Sequence, residues 1–183
     1  MSRVNAWRSL TDKILMRVFF ACLLAACLTI PALFAQATYS DPRGRFRIDR
    51  PSGWKQAALG EDGVQFTNGD AFAVLMVYPG SNWNAALDRV ARDVGGQHRN
   101  LAMVNRGATA VDGRPGGFLA LSGTNPEGQD SLLTMIATDD GRCAYVLMAS
   151  APRAEYRALQ PALDKIAKSF RLAGARPPVR PRQ

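Results

Sequence analysis

Arg43, Arg45, Arg47 and Arg50 fall within eight residues of one another. Guanidinium forks grip carboxylate or phosphate oxygens in pairs, so this group is the candidate contact for an acidic protein surface or lipid headgroups. Arg45 and Arg47 alternate with Phe46 and Ile48, which places the two charges on one strand face and the two apolar side chains on the other. An ordinary solvated face is the competing reading. On either reading, replacing Arg45 and Arg47 is expected to leave folding nearly intact.

Other reactive side chains are sparse. His98 is the single imidazole of the chain, and Cys143 is the single thiol after residue 37. A metal site built from imidazole or thiolate therefore lacks ligands. Asp139-Asp140 and Glu61-Asp62 lack the ligand periodicity of a calcium loop and read as turns. A serine nucleophile would need a base and an orienting group. With His98 beside Gly95-Gly96 and no Gly-x-Ser-x-Gly elbow, a hydrolase is not expected. Gly95-Gly96 and Gly116-Gly117 lack the Lys-Ser/Thr ending of a phosphate loop. No catalytic, cofactor-binding or metal-binding residue is assigned, and no enzyme activity is expected. Cys143 sits in the apolar run to Met148, where packing is the default role of a thiol.

The chain has 183 residues and a formal net charge of +8. Residues 1–37 read as an export signal: Arg3, Arg8, Lys13 and Arg17, an apolar run from Val18 to Ala35, and the small-x-small site Ala35-Gln36-Ala37. Translation from Met16 instead of Met1 would give a shorter signal. Leu24-Ala25-Ala26-Cys27 resembles a lipobox, so a lipoprotein tethered through Cys27 is the alternative to a periplasmic or secreted protein. Retention of the uncleaved run as a membrane anchor is a third outcome. Removing residues 1–37 leaves 19 basic against 14 acidic residues, and three of the former (Arg176, Arg180, Arg182) lie in a Pro-rich tail over 173–183. That balance is not the basic stripe of a nucleic-acid binder. With one cysteine left, no internal disulfide is possible.

The elements that position these residues follow from periodicity. Phe46 and Ile48 form a strand ended by Pro51, and Gly53 turns the chain to deliver Trp54 into the core. Lys55–Gly63 has turn composition. Val64–Thr67 and Ala71–Tyr78 are strands joined at Asn68-Gly69-Asp70, and the second is apolar enough to be central. Ser81 or Asn82 caps a helix through Val94. Four strands follow, within 101–111, 116–123, 131–138 and 142–150, with a bulge expected at Gly107 and turns at Asp112–Pro115, Asn125–Gly128 and Asp139–Gly141. Tyr156, Leu159, Leu163, Ile166 and Phe170 make the stripe of a last helix, which Pro161 is expected to kink or restart. The order predicts an α+β domain over 38–172, a mainly antiparallel sheet flanked by helices in an α/β/α sandwich.

This order, with a few spaced residues, resembles the PsbP-like superfamily. The matching positions are Tyr39-Ser40-Asp41, Phe46-x-Ile48-x-x-Pro51-x-Gly53-Trp54, Asp112-Gly113-Arg114-Pro115-Gly116, and Tyr156, Ile166 and Ser169-Phe170-Arg171. The superfamily includes the photosystem II extrinsic subunit, the DcrB-like bacterial envelope proteins and a yeast Ran-binding import factor. The resemblance implies the fold and no activity, since its members do different non-catalytic jobs. The expectation is an envelope protein that binds or supports other proteins through the arginines or a sheet face. The alternative is a carrier of a small apolar ligand or lipid, to which Trp83, Phe118 and Tyr145 would contribute.

Overall fold

Alternating apolar positions become strands and the two apolar stripes become helices over residues 37–174, the part of the chain that the computed structural model describes. The expected signal, with Met16 and Cys27, and the tail beyond Gly174 lie outside the described residues. In order, the elements are β1 (Ala37–Ser40), β2 (Phe46–Arg50), β3 (Lys55–Ala58), β4 (Gly63–Asn68), β5 (Ala71–Pro79), α1 (Trp83–Gly95), β6 (Arg99–Val111), β7 (Arg114–Thr124), β8 (Asp130–Asp139), β9 (Cys143–Pro152), α2 (Arg153–Ser169) and β10 (Arg171–Leu172). Neither helix is long and apolar enough to cross a membrane.

The strands form two antiparallel sheets. The larger has the order β3-β4-β5-β9-β8-β7-β6, and the smaller has the order β1-β2-β10. β5 and β9 are paired along eight residues from Phe72–Ser150 to Pro79–Cys143 at the centre of the larger sheet. Their successive side chains enter opposite cores, as the pleat requires. Ala73, Leu75 and Val77, with Tyr145 and Leu147, join Phe46, Ile48, Trp54, Ile166 and Phe170 in the first core. Val74, Val146 and Met148 join Leu87, Val90 and Val94 of α1 in the second. The smaller sheet and α2 therefore cover one face of the larger sheet, and α1 covers the other. This is the α+β sandwich expected from the sequence.

Local chemistry fixes the element ends. Asn82 caps α1, its side chain accepting from the amide of Ala85 at 2.9 Å. Asp139 adds a second acceptor, taking the amide of Trp83 at 3.0 Å from the end of β8. Loss of one capping acceptor is worth about 1 kcal/mol. Asn82→Ala is therefore expected to lower the melting temperature by about 3 °C, while Asn82→Asp leaves it nearly unchanged. The β6–β7 connection is a two-residue hairpin with Asp112 at φ 51° and Gly113 at φ 74°, the paired left-handed geometry that matches strand twist.

Three expectations are corrected. Lys55–Ala58 is a strand, β3, paired with β4 along its whole length. All four of its residues are exposed, so as a short edge strand it carries no apolar signal. The irregularities in β6 lie between Arg99 and Ala102 and between Met103 and Asn105, not at Gly107. Gly107 is regularly paired with Phe118, and its missing side chain leaves room for that ring, which a Cβ would meet at 2.6 Å. Pro161 lies inside an unbroken α2. It is exposed, so water can take up the backbone carbonyl that its missing amide would have bonded.

Candidate functional site

The turn after β1 divides the arginine group. The amide of Gly44 donates to the carbonyl of Asp41, and the amide of Asp41 to that of Phe46, which folds Arg45 back over Asp41. Arg45 then grips the Asp41 carboxylate with Nε at 2.8 Å on one oxygen and a terminal nitrogen at 2.8 Å on the other. The Arg45 amide adds a third bond at 3.0 Å. The two side chains are only 14% and 2% exposed. Hydrogen bonds from Arg45 outweigh the burial of Asp41 and hold its carboxyl below the usual range. The same guanidinium donates to the carbonyl of Glu61, and Arg43 pairs with the Glu61 carboxylate at the surface.

Arg45 is therefore drawn into a clamp between the small sheet and the loop preceding β4 and leaves little of its guanidinium exposed to a partner. Against the expectation from the sequence, removing it is now expected to cost stability. Arg47 stays exposed on the outer face of the small sheet, directly opposite Arg171 of β10. Arg50 is half-buried. The four arginines do not converge on one point.

The remaining polar candidates serve turns. Asp140 accepts from the amides of Arg142 and Cys143 and from the Tyr145 hydroxyl, each at 2.8 Å. Burial pushes its carboxyl upward, but those donors outweigh it and leave the carboxyl below its ordinary value. Burial, followed by the bond to Asp140, drives the Tyr145 phenol upward. The His98 ring nitrogen lies 3.2 Å from the Val94 carbonyl at the end of α1. Cys143 is half-buried beside the first core. Among the described residues no three His, Cys, Asp or Glu side chains gather as a metal site.

The aromatic trio does not assemble either. Trp83 fills the space over Gly117 against the second core, and Tyr145 is sealed in the first. Phe118 follows Gly117 in β7 and points to the opposite face from Trp83, over Gly107.

A different site emerges on that face. A helix is about 10–12 Å wide and strands lie about 4.8 Å apart, so one helix roofs only two or three strands. On the face shared with α2, the helix packs mainly on β8, β9 and β2, so that among the described residues β6 and β7 lie largely beyond it. Cross-strand register places Gly107, Phe118 and Ile136 in one row and Asn105, Ala120 and Thr134 in the next. Phe118, Ala120, Leu132, Thr134 and Ile136 are all half-buried.

Two grooves border this floor along α2. One, of about 170 Å³, runs between Thr134, Ile136 and Ala149 below and Tyr156 and Leu163 above. The other, of about 230 Å³, lies toward Val111, Phe170 and Arg171. Both are lined in part by Ile136 and Ala167. The sequence marks each of these residues only as the second phase of an alternating strand. Which phase stays open is decided by the width of α2.

No protein-family model matches the chain, and no curated protein does. Solved structures do. The cyanobacterial PsbP protein CyanoP from Synechocystis is 16% identical with a TM-score of 0.56, covering 78% of this chain and 95% of that one. LpqN of Mycobacterium tuberculosis, described as involved in cell envelope biogenesis, is 13% identical with a TM-score of 0.53, covering 76% and 86%. A point mutant of the protein Mog1 is 9% identical with a TM-score of 0.53, covering 76% and 97%. Likeness over nearly the whole of these domains, together with the seven-stranded antiparallel sheet and its helices, establishes that the chain has the PsbP-like α+β fold.

Proposed function

We propose that the protein is a non-catalytic module of the bacterial envelope, exported by residues 1–37, which binds another protein along the open sheet face beside α2. The observation that carries this reading is the half-buried row of Phe118 and Ile136, continued by Ala120 and Leu132, which meets the two grooves at Ile136. Apolar side chains left at a sheet surface gain when a partner removes them from water. The envelope role of LpqN, a protein with the same fold, accords with this placement. A carrier of a small apolar ligand is less well supported. Ligand pockets usually enclose about 300–1,000 Å³, whereas these grooves hold about 170 and 230 Å³.

The test uses a charge on the floor and a control off it. Ala120→Lys should leave the thermal melt nearly unchanged and abolish co-purification of the partner after crosslinking in cells. Arg47→Ala combined with Arg50→Ala should retain it. Loss of the partner only in the arginine double variant would move the contact to the small sheet. Recovery of bulk lipid alone from the unaltered protein would favour the carrier.

A further inference from the structure

The two edges of the large sheet are built differently. β3 is four residues long and begins with Lys55 and Gln56, so it offers little for another strand to pair with. β6 is thirteen residues long and mostly exposed. Natural edges are guarded by brevity, charge, proline or bulges. The first half of β6 has such a guard, two irregularities flanking Ala102 and Met103. From Asn105 to Val111 the strand is regularly paired with β7 on one side and, among the described residues, has no strand on the other. Arg106 is its one charged residue, and it turns onto α1, donating to Asp88 at 2.8 Å and to Asn84 at 2.9 Å. The free side of this segment is therefore backbone hydrogen-bonding groups with small side chains and no unpaired charge.

We propose that β6 pairs antiparallel with β6 of a second copy of the chain, about a two-fold axis at Ala108. Side chains across an antiparallel pair must share a face, and this register satisfies that requirement. Asn105 meets Val111, Arg106 meets Ala110, Gly107 meets Thr109, and Ala108 meets its own equivalent. No like charges are opposed, and the bulged half with Met103 and Val104, 62% and 61% exposed, lies just beyond the pairing. The Pro-rich tail is a poor alternative occupant, because Pro177, Pro178 and Pro181 lack the amide that a paired strand must donate. With the axis perpendicular to the sheet, the open faces carrying Phe118 lie side by side on one surface. The pairing stands on the geometry of the edge alone and not on the partner-docking reading.

Among the described residues every buried member of the two cores lies between Phe46 and Leu172, so residues 38–183 are the unit to test by sedimentation velocity. That unit is expected to sediment as a dimer. Ala108→Glu sets two carboxylates against each other at the axis and should weaken the dimer about tenfold or more, as should Ala108→Lys. An equimolar mixture of the two variants should restore it, which simple misfolding would not allow. A monomeric wild-type unit at high micromolar concentration, or dimers indifferent to both substitutions, would overturn the proposal. Neither result would touch partner capture at Ala120, so the two readings fail separately.

Discussion

Asp41→Asn is expected to cost about 3 kcal/mol of stability. Removing one partner of a buried ion pair costs about 3–5 kcal/mol, because the other charge is left without compensation. The lower end applies because the Arg45 side chain, 14% exposed, can swing toward water. The substitution also releases the clamp on the Glu61 carbonyl. The pH dependence carries the same signature. Asp41 titrates lower in the folded chain than in the unfolded one, so its stabilisation is complete above the unfolded value of about 3.9. It is lost as pH falls through the lower folded value, because the unfolded state then binds more protons. Urea unfolding at pH 7 and pH 3 checks this. The variant should show a smaller acid loss than the wild type, with Asp140 still contributing in both. Equal acid losses would show that the pair does not stabilise the fold.

Trp54→Ala is expected to cost about 3–5 kcal/mol, the usual range for emptying a large aromatic site in a packed core. Trp54 is 4% exposed and packs in the first core. Its amide donates to the Pro51 carbonyl at 3.2 Å, and Gly53 turns at φ 80° to deliver it. Trp54→Phe refills part of the volume and should recover roughly half of the loss. A chemical melt indifferent to Trp54→Ala would remove the residue from the core.

The apolar half of the fold is legible in the sequence because periodicity reports burial directly. Phe46, Ile48 and Trp54, the continuous run of β5, and the stripe from Tyr156 to Phe170 all fall where their spacing puts them. β3 is illegible because an exposed edge strand carries no such pattern. The two-residue β10 is too short to have one. Pro161 misleads because its cost depends on which face of the helix it occupies, and it faces water.

The site is less legible in the sequence. Arg45 shares its strand phase with Arg47, but a turn closing on Asp41, four residues earlier, withdraws it from the surface. The Asp-x-x-x-Arg spacing beside Gly44 was the one available signal. The open floor at Phe118 and Ile136 depends on how many strands a single helix can roof, and no local pattern contains that.

On the proposed reading a protein docks on this floor and not on the arginines. A photocrosslinking phenylalanine analogue at position 118, compared with the same analogue at position 47, tests it most directly in cells. A protein adduct of defined mass is expected from position 118 and none from position 47. Adducts from position 47 alone, or only lipid captured at position 118, would contradict it.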